Sequence, residues 1–373
     1  MHLVDTSMFF APEGGGVGRY LAVKHAWLKA HTRWRHTIVA PGGETHEDHD
    51  IRTYRAPLRV RHGYRFPLTR AAWSRRIVAL QPDLIEAGDP YLLAWASIDA
   101  AQRAGVPAIG FYHSDVVGTA ALRFGPAGYV VAARYARALY RQFDLVIAPS
   151  RHVEARLREL GVDRVACQPL GVDVQTFHPS RRREDLRETL GLGRDTRLLV
   201  FAGRFAREKN LDVLCSAMRL LGAPYHLLLI GSGEPPRAPA NVTIRPYEHD
   251  PAALAGIVAS CDAFLHAGDR ETFGLVVLEA MACGLPVIAV GGGAITDLVQ
   301  PHGGLVVGRR DAHALAEGIS HVFAQDPHAM GQAARRWVES HYTWDSVLRG
   351  LIALYGRLEG AQTVARERAY ATR

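Results

Sequence analysis

Short apolar runs rich in β-branched residues recur along the chain, separated by longer stretches with helical spacing. HTIVA (36–40), DLIEA (83–87), PAIGFY (107–112) and DLVIAPS (144–150) form a first series. RLLVFAG (197–203), YHLLLIG (225–231), DAFLHA (262–267), PVIAV (286–290) and GLVV (304–307) form a second. The runs are continuous rather than alternating, so each expected strand is covered on both faces, as in a parallel sheet between helices. The pattern predicts a doubly wound α/β fold. Between the two series, GVDVQTFHPSRRREDLRETLGLGRDT (171–196) is polar and broken by Gly and Pro, which marks a linker between two Rossmann-like halves, 1–175 and 176–342. Beyond the last strand, HYTWDSVLRGLIALYGRLE (341–359) carries Val347, Leu351, Ile352, Leu354 and Tyr355 on one broad helical face. With no strand to follow it, this helix (343–373) is expected to return to the N-terminal half.

Composition agrees with two folded domains: 373 residues, 48% hydrophobic and 22% charged. The best candidate for a membrane span, Phe273–Val290, is interrupted by Glu279, which argues against a transmembrane helix. The opening MHLVDTSMFF lacks the basic-then-apolar pattern of an export signal. Cys167, Cys215, Cys261 and Cys283 are far apart, which argues against a zinc site or disulfide framework and fits a reducing cytosol. The expected location is cytoplasmic, with peripheral attachment to the inner face of the membrane left open. The net charge is +7, and its distribution is uneven. Residues 51–76 hold eight arginines and no acid, and 117–143 repeat the theme with Arg123, Arg134, Arg137 and Arg141. Such segments are either a solvated face or a functional basic surface for anionic lipid or acidic substrates. No nucleic-acid-binding motif accompanies them, so no nucleic-acid partner is expected.

Four stretches carry candidate chemistry. PEGGGVGRY (12–20) follows the first strand and opens a helix; Gly14, Gly15, Gly16 and Gly18 make either a tight turn or a close backbone approach to an anion. The order of glycines fits neither a dinucleotide fingerprint nor a Walker A loop. In FAGRFAREKN (201–210), Arg204, Arg207 and Lys209 surround a helix start, where cations oppose the dipole unless an anion lies between them; a diphosphate clamp is one reading and a solvated surface the other. In RETFGLVVLEAM (270–281), Glu271 and Glu279 bracket an apolar run. If TFGLVVLEAMA is one helix, the carboxylates stand at most ~12 Å apart along its axis and border one cleft. His113 and Asp115 in GFYHSD follow a strand, where a loop faces a ligand crevice; a structural histidine is the alternative.

Taken in order, GGGVGRY, FYHSD, VIAPS, GVDVQTFHP, GRFAREKN, IGSGE, RETFGLVVLEAMACGLPVIA and YTWD resemble the nucleotide-sugar glycosyltransferases of family 4, with a GT-B fold. The resemblance implies two Rossmann-like domains facing across a cleft. It implies Arg204 and Lys209 on the donor diphosphate, with backbone N–H groups of Gly15 and Gly16 closing over it. It implies Glu271 on hydroxyls of the donor sugar, N–H groups of Phe273, Gly274 and Leu275 on sugar and phosphate, and Glu279 on the ribose. The base is expected near Tyr247, and His113 faces the sugar. The implied reaction is a retaining hexosyl transfer from a nucleotide diphosphate sugar, with no metal and no cofactor, because fixed cations can stabilise the leaving diphosphate. FYHSD…YVVAARYARALY and the arginine-rich segment resemble the branch that glycosylates lipids, with a polysaccharide, another glycan or a small molecule as the alternative acceptor. A nucleotide-sugar-binding protein without turnover is the non-enzymatic alternative. A pyridoxal-dependent phosphorylase is disfavoured by the presence of only three lysines.

Overall fold

The computed structural model describes residues 1–10, 15–60, 63–300 and 302–371, with side chains through 358. Gly14 of the glycine run and Arg61 of the basic segment lie outside the described residues. The chain divides into two compact units, Met1–Pro169 with Leu348–Arg373, and Leu170–Val347.

In the first unit the strands are β1 (His2–Thr6), β2 (Arg35–Gly42), β3 (His46–Glu47), β4 (Ile51–Arg55), the small hairpin β5 (Leu58–Arg59) and β6 (Arg65–Phe66), β7 (Leu84–Ala87), β8 (Ala108–Phe111), β9 (Leu145–Ala148) and β10 (Val165–Cys167). Eight form one sheet in the order β10-β9-β8-β7-β1-β2-β4-β3, parallel except for the edge pair β3–β4. The helices are α1 (Gly16–His31), α2 (Arg70–Val78), α3 (Leu92–Ala104), α4 (Val116–Tyr140) and α5 (Arg151–Glu159). The order reverses at β1 and β7, so the crevice at their carboxyl ends is the place where a doubly wound sheet binds ligands.

The second unit contains β11 (Arg197–Ala202), β12 (Tyr225–Gly231), β13 (Val242–Pro246), β14 (Ala263–His266), β15 (Val287–Val290) and β16 (Gly304–Val307). They form an all-parallel sheet in the order β13-β12-β11-β14-β15-β16, which reverses between β11 and β14. Its helices are α6 (Leu186–Thr189), α7 (Leu211–Leu221), α8 (Pro251–Ala259), α9 (Leu275–Ala282), α10 (Ile295–Val299), α11 (Ala312–Phe323) and α12 (Pro327–His341). The last helix, α13 (Trp344–Ala371), starts in the second unit and continues in the first.

The unit boundaries fall at 169/170 and 347/348 rather than at 175/176 and 342/343. The two passages of the chain pair with each other: Val172 bridges Thr343, and the Val172 N–H donates to the Tyr342 carbonyl at 2.8 Å. Gly171 permits the approach, since a Cβ there would stand 2.8 Å from the Trp344 Cα. The pairing keeps residues 170–173 with the second unit.

The return of α13 is anchored in the first unit by a buried polar cluster. Lys24 on α1 is fully buried and donates to Asp5 of β1, to Glu86 of β7 at 2.9 Å, and to the Tyr355 hydroxyl of α13 at 2.9 Å. Tyr355, also fully buried, donates in turn to Glu86, and His36 of β2 lies 2.9 Å from Asp5. One ammonium thus ties two strands and two helices that are distant in sequence.

Among the described residues, one helix is long and apolar enough to cross a membrane by length and composition. It is α4 rather than 273–290, the best candidate in the sequence and one that Glu279 rules out, and its most apolar window has a mean hydropathy of 1.3. Gly125 breaks it at φ 64°, ψ −154°, leaving nine residues before the break and fifteen after, each short of a span. Asp115 caps its start by accepting from the Gly118 N–H, and Pro126 restarts the second half.

Candidate functional site

The second unit gathers its polar side chains where its strand order reverses. After β11 the chain turns through Gly203 and closes a short 3-10 turn, Arg207–Lys209, which Asn210 ends in the left-handed region (φ 50°, ψ 46°). The Asn210 amide donates to the Ala267 carbonyl at 2.8 Å and to Asp269 at 3.4 Å, tying this loop to the one that leaves β14. The tie brings Lys209 onto Glu271: the ammonium donates to Oε1, with the two side chains only 14% and 17% exposed. His266, the last residue of β14 and fully buried, places Nε2 3.1 Å from the same oxygen. Among the described residues the His266 Nδ1 has no hydrogen-bond partner, so the tautomer that donates from Nε2 to the carboxylate costs least. Burial pushes the Glu271 carboxyl up, but the Lys209 charge and the His266 hydrogen bond outweigh it and hold the group well below the usual carboxylate range. Both partners take Oε1, so Oε2 is the atom that can accept from a ligand.

A glycine loop supports this carboxylate from behind. The Ala294 N–H donates to the Glu271 carbonyl at 3.0 Å. A Cβ on Gly293, whose φ is +58°, would stand 2.7 Å from that carbonyl oxygen and 2.9 Å from the Glu271 nitrogen. Only glycine fits there.

The stretch after Glu271 is not one helix from Thr272. Gly274 adopts φ 103°, which no helix accommodates, so α9 starts at Leu275 and Thr272–Gly274 form its approach. Phe273 is buried with its ring 6.3 Å from that of Tyr342, which fixes the approach. Leu275 opens the first turn, where N–H groups have no intrahelical acceptor. Glu279 sits on the second turn, 5% exposed. Arg204 is 61% exposed and lies 3.5 Å from Glu208, not against the Lys209–Glu271 pair. Tyr247 follows edge strand β13, half-buried, with its ring edge-on to His249 at 4.9 Å. Asp269 lies 4.0 Å from Arg270 and closer, 3.0 Å, to Arg310.

In the first unit, His113 follows β8 with its ring stacked on Phe111 at 3.9 Å and 5.0 Å from that of Tyr20 on α1. Desolvation, and then the nearby Lys24 charge, push its pKa down to about 3, so the imidazole is neutral at working pH. Gly15 caps α1 and Gly16 is its first residue. The Gly15 N–H donates to the Tyr64 hydroxyl at 3.2 Å, so the expected anion donor is engaged by an aromatic residue of the basic segment. Among the described residues, a Cβ on Gly15 would meet nothing within 4 Å, so their packing does not require glycine there.

Sequence reasoning missed His266 and the 291–293 loop. His266 is hidden inside an apolar strand, whereas three consecutive glycines after a strand were a usable signal. Among the described residues, no group of three His, Cys, Asp or Glu side chains is arranged to hold a metal ion.

The family model for glycosyl transferases group 1 matches residues 182–337, and that for Glycosyltransferase Family 4 matches 14–176. A GDP-mannose-dependent alpha-mannosyltransferase of Mycobacterium tuberculosis (strain CDC 1551) is 32% identical over 95% of this chain and 96% of its own length. A GDP-mannose-dependent alpha-(1-6)-phosphatidylinositol dimannoside mannosyltransferase of Mycobacterium tuberculosis (strain H37Ra) is 27% identical over 96% and 97%. Among solved structures, sucrose-phosphate synthase from Thermosynechococcus elongatus shares the fold with a TM-score of 0.79 at 24% identity, covering 97% of this chain and 100% of its own.

Proposed function

The chain belongs to glycosyltransferase family 4 and is a hexosyltransferase with the GT-B fold, and from that premise we propose that it moves mannose from GDP-mannose to a lipid or lipid-borne glycan hydroxyl. Transfer occurs with retention and without a metal ion. Both M. tuberculosis relatives carry GDP-mannose in their names, one of them with a phosphatidylinositol dimannoside acceptor, and both align over nearly the whole chain. The observation that carries the reading is the cluster of half-buried Lys209 and Glu271 with buried His266 at the strand reversal of the second unit.

Each residue then has a role. Lys209 uses its remaining N–H groups on the donor diphosphate, and Arg204, long and exposed, joins it there. Glu271 accepts sugar hydroxyls on Oε2, while Leu275 and its neighbours Phe273 and Gly274 direct backbone N–H groups at phosphate and sugar. Glu279 takes the ribose hydroxyls and Tyr247 lies along the base. The backbone N–H groups of Gly15 and Gly16 are assigned to the diphosphate, a role for which the Gly15 N–H must leave Tyr64. Neutral His113 hydrogen-bonds the sugar without adding charge. As the bond from the anomeric carbon to the phosphate oxygen breaks, the acceptor hydroxyl attacks from the same face and its proton passes to the departing oxygen. The cations stabilise that oxygen's developing charge.

A panel of UDP-, GDP- and ADP-sugars, read by donor consumption and by the anomeric configuration of the product, tests the proposal. GDP-mannose should be consumed, an α-linked product should form, and chelator should leave the rate unchanged. Lys209→Ala and Glu271→Ala should each abolish transfer with the fold intact; unaltered turnover in both variants would overturn the site.

A further inference from the structure

The first unit presents a face that the chemistry above does not use. Of the ten large apolar side chains that are exposed among the described residues, eight lie in two short segments, 58–68 and 122–131. The first is the β5–β6 hairpin and its exit, with Leu58, Val60 and Leu68. The second is the Gly125–Pro126 break of α4, where Phe124 is 65% and Val131 70% exposed, beside Leu122, Tyr129 and Val130. A soluble surface scatters such residues singly; two clusters of them are a contact surface.

The two segments converge. Phe66 of the hairpin packs edge-on against Tyr91 at 6.1 Å, and the Tyr135 hydroxyl of α4 donates to the adjacent Pro90 carbonyl at 2.6 Å. Arg70 lies over the Trp95 ring at 5.5 Å, and Trp95 donates to Tyr135 at 3.2 Å. Both apolar clusters therefore flank one turn, the one that leaves β7 at the ligand-binding end of the sheet.

Charge decides what this face fits. Exposed Arg55, Arg59, Arg70, Arg123 and Arg134 lie in or close to these segments, and neither 51–76 nor 117–143 contains an acidic residue. Acids near them are few: Asp99 is paired with Arg70 at 2.8 Å, Glu47 with Arg52 at 3.4 Å, and Glu44 shares a surface cavity with Arg55 and Arg65. Apolar side chains ringed by arginine match an anionic bilayer, where rings and branched chains enter the acyl boundary and guanidinium groups take phosphate. The break at Gly125 fits this use better than a span, since it turns Phe124 outward between two helical pieces that can each lie along a surface.

We propose that the hairpin 58–68 and the α4 break 122–131 dock the first unit on an anionic lipid bilayer, setting its strand-end crevice at the lipid surface. This extends the lipid-acceptor reading but stands on different residues.

Flotation of the full chain with phosphatidylcholine vesicles, with and without phosphatidylglycerol, tests it. The expected result is binding to the anionic vesicles alone, weakened by salt, and a loss of about tenfold or more in affinity for Phe124→Ser/Val131→Ser. The double variant should keep its donor consumption and its transfer to a soluble acceptor. Equal binding to neutral vesicles, undiminished binding by the variant, or no binding at all would overturn the proposal. A dimer in size-exclusion chromatography that the variant dissolves would overturn it in favour of self-association, and loss of soluble transfer in favour of an acceptor pocket. Vesicle binding without any lipid glycosylation would leave the docking face standing and remove the lipid acceptor.

Discussion

Replacing Lys24 by Met keeps most of the side-chain stem and removes one ammonium from a site with no exposed surface. In the native protein its N–H groups reach Asp5 at 2.9–3.1 Å, Glu86 at 2.9 Å and the Tyr355 hydroxyl at 2.9 Å. Its removal leaves two buried carboxylates facing one histidine, which is the case in which breaking a buried ion pair costs about 3–5 kcal/mol. Against a typical domain stability of about 5–15 kcal/mol, that loss consumes a large share. The deficit should depend on pH. Burial already pushes the Glu86 carboxyl up, while Lys24 and His36 overcome the burial of Asp5 and hold that group down. A carboxyl raised in the folded state binds its proton more tightly there than when unfolded, so acid favours the fold as pH falls through the folded value. Without Lys24 that value rises further, and the variant should recover part of its deficit between about pH 7 and pH 5. Four of the six tryptophans, Trp27, Trp34, Trp73 and Trp95, are in the first unit, so urea unfolding followed by fluorescence reports mainly on it. The two units are free to unfold separately, and the transition to compare is the one that moves with the substitution. A variant within about 1 kcal/mol of the native protein at neutral pH, or an equal deficit at both pH values, would refute the reasoning.

Two further substitutions separate positioning from packing. His266→Gln retains an N–H donor toward Glu271 and should preserve most transfer, whereas His266→Ala should lower kcat by about tenfold to a hundredfold with KM less affected; equal losses in the two would assign His266 a packing role. Gly293→Ala, whose Cβ meets the Glu271 backbone, should lower both the melting temperature and transfer. Gly15→Ala should leave the melting temperature unchanged and reduce donor binding, because among the described residues none stands within 4 Å of the added Cβ; a normal KM for the donor would remove Gly15 from the site.

How much of this was visible in the chain follows from where each residue gets its partners. The central strands carry their signal locally, since a strand covered on both faces must be apolar throughout; RLLVFAG, YHLLLIG and PVIAV could hardly be anything else. Strands at a sheet edge or one place in from it lose that signal: VTIRP in β13 and IRTYR in β4 alternate with polar residues and give no continuous apolar run. The break in α4 is legible in FGPAG, where a glycine free to take positive φ precedes a proline that cannot continue a helix from its first half. Glu271 and Lys209 were recognisable because loops at strand ends are where such sheets bind ligands, and the strand order now puts both at the reversal between β11 and β14. What no periodicity reveals is a contact between distant positions. Lys24 was one of three lysines in the sequence, just as Lys209 was, yet its partners at positions 5, 86 and 355 become neighbours only after the sheet is wound and the last helix has returned. The same folding step that hides this ammonium places Tyr20, one turn earlier on α1, against His113 and bonds its hydroxyl to Glu86 at 3.2 Å. The helix that opens with Gly15 and Gly16 is therefore held at its middle by the cluster that holds α13, so loss of the Tyr355 contact should loosen α1 as well as the C-terminal segment.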